Sequence, residues 1–183
     1  MGKQFPALDD AHRTFIEAQH MFFTGSAEPE GRVNISPKGM ESLRVMGPNR
    51  ILWMNLTGSG NETAGHLLEI NRMTLMWCSF ETRPIILRAY GTARTVQQGD
   101  AGWPDLAQYF PPHRSARQIF DVEIEMVQTS CGYTVPLMDF RADRDTMQKW
   151  VDGKSDEDIR QYWADRNQTT LDGKPTGVPV RGS

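Results

Sequence analysis

Apolar and polar positions alternate with a period of two over most of this chain, and only short runs carry helical spacing. Alternation places successive side chains on opposite faces of a strand. HMFFTGSA (20–27) predicts a first strand ending in a Gly/Ser turn, and EPEGRVNISPKG (28–39) predicts a Pro/Gly turn and a second. RILWMNL (50–56), preceded by the turn GPN, is a third. RMTLMWCSF (72–80) and IILRAYGTARTV (85–96) are rich in β-branched and aromatic residues, with ETRP as their hairpin connection. RQIFDVEIEMVQTS (117–130) predicts a long last strand, with Ile119, Ile124, Met126 and Val127 among acidic neighbours.

Helical spacing appears in LDDAHRTFIEAQ (8–19), where Asp9 or Asp10 can cap the free N–H groups, and in ETAGHLLEINR (62–72). WPDLAQYFPP (103–112) reads as a short helix closed by prolines, and CGYTVPLMDF (131–140) as extended or irregular. From about Asp145 the pattern turns helical, anchored by Trp150, Ile159, Tyr162 and Trp163. LDGKPTGVPVRGS (171–183) is rich in Gly and Pro and is expected to fray. Strands that follow one another as meanders oppose a doubly wound parallel sheet, which alternates strand and helix. The expectation is a mainly β chain with flanking helices: a small antiparallel barrel over 1–142 and a helical extension with a flexible tail over 143–183.

Composition narrows the choices. The 183 residues suit one domain, or one domain with an appendage. With a formal net charge of −3 and no Lys/Arg run, nucleic acid is not an expected partner. No apolar run reaches the roughly 18 residues that span a membrane, and MGKQFPALDDAH lacks the apolar centre of a secretory signal. Cys78 and Cys131 lie far apart and suggest neither a disulfide scaffold nor a zinc site, so a reducing cytoplasm is the expected compartment.

The chemistry concentrates in TGSGNETAGHL (57–67), between the third strand and the second helix. Gly58 and Gly60 let the backbone turn tightly and present N–H groups. Thr57, Ser59, Asn61 and Thr63 add hydroxyl and amide donors, and the helix beginning near Asn61 aims its positive end at the same place. Such a loop suits an anion, above all a phosphate, although an ordinary Gly-rich turn with a helix cap has the same composition. It is neither a Walker loop nor a dinucleotide fingerprint. In RVNISPK, alternation puts Arg32, Asn34, Ser36 and Lys38 on one face and Val33 and Ile35 on the other. Arg88, inside an apolar strand, suits either a ligand contact or an ion pair. His66 reads as a packing residue, Cys131 as a small residue at a turn, and Trp53, Trp77 and Tyr90 as core.

The series GRVNISPKG, NLTGSGNETAGHL, MWCSFETRPIILRAYG, RQIFDVEIEMVQTSCGYTVP and YWADRNQTTLDG resembles the pyridoxamine 5'-phosphate oxidase-like, FMN-binding split-barrel family, over roughly residues 10 to 175. The resemblance implies a split β-barrel and a homodimer with FMN at the subunit interface, or a deazaflavin (F420) in its place. The phosphate would meet Asn34, Ser36 and Lys38 together with Thr57, Gly58, Ser59, Asn61 and Thr63. The ring would lie near Asn55 and Leu56, with Arg88 a further contact. The implied function is an FMN-dependent oxidoreductase acting on a small molecule; the alternatives are a flavin-storage or sensor protein and a deazaflavin-dependent reductase. Asn61-Glu62-Thr63 stands where true pyridoxamine-phosphate oxidases have Ser-Arg-Lys, Ile86 stands where they have glutamine, and their Arg-Leu-x-Pro motif has no counterpart. Pyridoxamine phosphate is therefore not the expected substrate.

Overall fold

The computed structural model describes residues 2–179; the last four residues of the expected loose tail lie outside that range. Eight strands form one antiparallel sheet. They are β1 (Lys3–Phe5), β2 (Met21–Ser26), β3 (Asn34–Gly39), β4 (Leu43–Gly47), β5 (Arg50–Leu56), β6 (Met73–Cys78), β7 (Ile85–Gln97) and β8 (Ala116–Cys131). The order is β3-β2-β6-β7-β8-β5-β4, with β1 paired to β8. The helices are α1 (Asp10–Glu17), α2 (Glu62–Glu69), α3 (Trp103–Ala107), α4 (Thr146–Asp152) and α5 (Asp156–Arg166). This is the mainly β, antiparallel split barrel with flanking helices that the alternation predicts. Strands β1 and β4 are additions: one has three residues, the other five, too few for a periodic signal.

Strands β7 and β8 pair along their whole length and form the spine of the sheet, and β8 also takes β5 and β1 on its other edge. Their register slips between Tyr90 and Gly91. At Gly91 a β-carbon would lie 1.9 Å from the carbonyl oxygen of Glu123, so only glycine permits the close approach at this bend. The curl encloses one core in which Trp53 stacks on Phe120 with ring centroids 4.7 Å apart, and Phe22 lies against both Trp53 and Trp77. Each such fully buried large side chain contributes on the order of 1.5–3 kcal/mol by leaving water. A second cluster, with Leu52, Met54, Ile119 and Phe110, lies under α3. Ile16 of α1 joins the main core, and Asp9 caps that helix by accepting from the His12 N–H at 2.8 Å.

The C-terminal region departs from expectation. Val151, Ile159, Trp163 and Val178 form a third apolar cluster, and Thr170, Thr176 and Val178 are buried. Up to Val178, therefore, the Gly/Pro-rich segment is packed rather than frayed. Its turn carries Gly173 at φ +81°, a conformation that favours glycine, and Thr169 bridges to Pro175 across it.

Candidate functional site

A cleft of about 1230 Å³ opens between β3, the 57–63 loop and the C-terminal segment. It is lined by Asn34, Ser36, Lys38, Asn55, Leu56, Thr57, Gly58, Ser59, Asn61 and Thr63, all of them predicted from sequence. Arg88, the remaining predicted residue, donates to the Ser130 hydroxyl on the neighbouring strand at 3.1 Å and does not line the cleft of its own chain.

The loop follows directly from β5. Thr57 continues the strand's pairing by donating its N–H to the Ser115 carbonyl at 2.8 Å, after which Gly58 to Gly60 turn the chain into α2. The N-cap Asn61 makes no capping bond from its side chain, so the first N–H groups of α2 face the cleft without that partner. The Asn61 amide turns inward instead: its Oδ1 accepts from Gln118 Nε2 at 2.7 Å and from Asn55 Nδ2 at 3.4 Å. Thr57 is likewise committed. Its hydroxyl donates to the Ser115 carbonyl at 3.0 Å and accepts from Trp163 Nε1 at 2.7 Å. Asn55, Thr57 and Asn61 thus brace the loop from below with their side chains, while Ser59 stays exposed at its tip.

On β3, Ser36 donates to Asn34 Oδ1 at 3.2 Å, and Asn34 reaches Thr63 Oγ1 at 3.5 Å, which links the strand to the first turn of α2. Lys38 is half-buried with its ammonium 5.4 Å above the centre of the Trp53 ring. Arg32 also lines the cleft, where its exposed side chain pairs with Asp172.

Arg117 of β8 completes the site and was not singled out from sequence. Only 2% exposed, it donates to Gly60 O at 3.2 Å and to Asn167 Oδ1, while its Nε is buried without a partner. Burial pushes its pKa down to about 10. Burial also lowers the Lys38 ammonium, and the nearby Arg117 charge lowers it further. Neither cation makes an ion pair among the described residues. Two desolvated like charges facing one cleft are costly unless an anion compensates them. The sole signal in the sequence was a charge at the start of an otherwise strongly predicted strand.

Glu62 also lines the cleft, and its Oε2 accepts from the Leu171 N–H at 2.9 Å. His66 is buried behind α2 with Nδ1 3.1 Å from Ser26 Oγ and Nε2 3.7 Å from Glu28 Oε1, the packing role expected of it. At the far end of the cleft His20 stacks on Phe140, with centroids 3.7 Å apart. His113 also lines the cleft; its Nδ1 accepts from the Ser115 N–H at 3.2 Å, and burial lowers its pKa.

An antiparallel split barrel with a cationic, glycine-walled cleft at its edge is the class of protein that fold and site define. Residues 8–131 match the pyridoxamine 5'-phosphate oxidase family model, and the chain belongs to that family. It is 35% identical over 147 residues to the pyridoxamine 5'-phosphate oxidase family protein ustO of Aspergillus flavus, covering 78% of this chain. The matched region spans 59% of the length of that relative. Among solved structures, a HupZ variant of Group A Streptococcus superposes with a TM-score of 0.54 at 16% identity, over 67% of this chain and 98% of its own. A Clostridium acetobutylicum protein related to general stress protein 26, of the pyridoxinephosphate oxidase family, gives 0.51 at 14% identity, over 75% and 94%. At these identities the likeness concerns the fold. No helix among the described residues is long and apolar enough to cross a membrane.

Proposed function

We propose that the cleft holds FMN by its phosphate and that the protein is a flavin-dependent oxidoreductase acting on a small molecule. The observation that carries this reading is the pair of half-buried Lys38 and buried Arg117, two cations lining one cleft with no ion-pair partner among the described residues. A phosphomonoester supplies the missing charge, and the loop amides and the start of α2 supply its hydrogen bonds. The remaining cleft suits a flat ring between Asn55 and Leu56 on one side and β3 on the other.

A homodimer is part of this reading. The cleft is larger than the roughly 300–1000 Å³ that usually encloses one small ligand, which leaves space for a second subunit. Strand β3 ends the sheet, and Ile35 in it and Val33 just before it are each 69% exposed. An edge strand of this kind is ordinarily covered. Arg88, remote from the cleft of its own chain, then becomes available to a partner's ligand.

When bound, FMN supplies two-electron chemistry. The chain's own residues anchor the phosphate through Lys38 and Arg117, orient it through the loop, and engage the Glu62 carboxylate with the Leu171 N–H.

The test is the visible spectrum of the purified protein, followed by titration with FMN. Flavin bands, or quenching of FMN fluorescence on binding, are expected. A colourless protein that leaves FMN fluorescence unchanged overturns the reading. The same titration with F420 decides between flavin and deazaflavin, and bound flavin that no nicotinamide donor reduces assigns storage instead.

A further inference from the structure

We infer that Asn167, from the C-terminal segment, is a positioning residue that holds Arg117 against the anion loop with its charge intact. The inference rests on the phosphate site proposed above and names a wall of that site lying outside residues 8–131.

Asn167 is fully buried and closes α5, donating its N–H to Trp163 O at 3.0 Å. Its amide is used at both ends: Nδ2 donates to Gly58 O at 3.0 Å, and Oδ1 accepts from Arg117 Nη1. The amide has one satisfiable orientation, since a carbonyl needs a donor and a guanidinium needs an acceptor. Arg117 is thus tied to the loop through uncharged partners alone, Asn167 Oδ1 and Gly60 O. A carboxylate at position 167 would reach the same guanidinium and neutralise it; the amide orients it and leaves the positive charge for a ligand.

The segment beyond Asn167 is fastened on several sides. Thr176 Oγ1 donates to Asn167 O, Leu171 N–H to Glu62 Oε2, and Arg32 pairs with Asp172. Thr170 fills the space a side chain at position 65 would need, since a β-carbon on Gly65 would lie 2.2 Å from its Cγ2. Thr169, Thr170 and Leu171 face the cleft. The chemistry fits a ligand ending in a phosphomonoester, whose dianion meets two cations and a ring of donors.

The experiment uses the full chain and the variants Asn167→Asp and Asn167→Ser, titrated with FMN and with riboflavin, which lacks the phosphate. Asn167→Asp is expected to weaken FMN by roughly tenfold to a hundredfold, the scale of a hydrogen bond to a charged group, and to leave riboflavin unchanged. Asn167→Ser, which loosens Arg117 without neutralising it, is expected to weaken FMN alone and by less. A merely structural role would weaken both flavins together. Inorganic phosphate supplies an independent readout: it should raise the melting temperature of the unsubstituted chain and not that of Asn167→Asp. Equal FMN affinity in the chain and its Asp variant overturns the inference. If FMN does not bind but phosphate protection appears and is lost in Asn167→Asp, the inference stands and the flavin reading fails. No response of the unsubstituted chain to either probe overturns both.

Discussion

Two pairs of cations meet strand β8, and they are treated in opposite ways. At Asp121, Arg50 donates at 2.8 Å and Arg94 at 3.1 Å to a single carboxylate near the surface. Burial opposes ionisation of Asp121, yet the two arginines outweigh it and hold its carboxyl below the usual range. Four residues earlier, Arg117 and Lys38 are more deeply buried and share no carboxylate. The first pair pins β5 and β7 across β8. On the reading proposed above, the second becomes favourable only when an anion arrives: cations facing a cleft without a counter-charge suit a charged ligand, whereas cations sharing an acid form a staple.

The strongest way to break this contrast is Arg117→Met, which keeps the apolar stem and removes the charge. FMN affinity should fall by about 2–3 kcal/mol, while the ligand-free chain melts at the same or a higher temperature because a desolvated charge is gone. Fluorescence titration and thermal denaturation check the two halves, and a drop in both would reduce Arg117 to a structural residue.

Asp121→Asn should show the reverse pattern. Stability falls by about 1 kcal/mol or less, since both arginines remain substantially exposed, and FMN affinity is unchanged in the same titration.

Alkaline pH sharpens the comparison further. Lys38 and Arg117 release protons in the folded state at lower pH than they ordinarily would, Arg117 at about 10. Between the folded and unfolded pKa values the unfolded chain holds more protons, so these two groups make the ligand-free protein more stable as pH rises. The protection conferred by FMN should decline over the same interval, because the cations that bind phosphate are lost. Melting curves with and without FMN between about pH 8 and 11 read both trends.

The smallest effect on FMN affinity among the cleft residues is expected at Thr57. Its hydroxyl is committed to Ser115 and Trp163, so Thr57→Val should lower stability by about 1 kcal/mol through the orphaned indole N–H. FMN affinity should change only through loosening of the loop, which the same titration and melting curve separate.

What the sequence disclosed follows from the range of the interactions. The strand–loop–helix run 50–69 was legible because periodicity, glycines and helix start coincide within twenty-odd neighbouring positions. Lys38 was legible because strand alternation sets it beside Asn34 and Ser36. Arg117 was not, because its burial depends on Asn167, fifty positions away, and a charge opening a strand reads as solvated. The inward turn of Asn61 was hidden for the same reason, since Gln118 claims its amide from another strand. The segment after Leu171 looked loose because Gly and Pro there suggest fraying. Those residues instead shape a turn that delivers Thr176 and Val178 to buried positions. Strand β4 escaped notice because five residues barely complete one alternation.

The indole bond from Trp163 to Thr57 and the amide bond from Asn167 to Gly58 each join positions more than a hundred residues apart. A ribosome delivers a chain N-terminus first, and domains begin folding as they emerge. The sheet can therefore close once Cys131 has left the exit tunnel, while the loop at Gly58 still lacks its brace. Any ligand seated there must wait for α5, so loading of the proposed FMN would belong to the last moments of synthesis or after it.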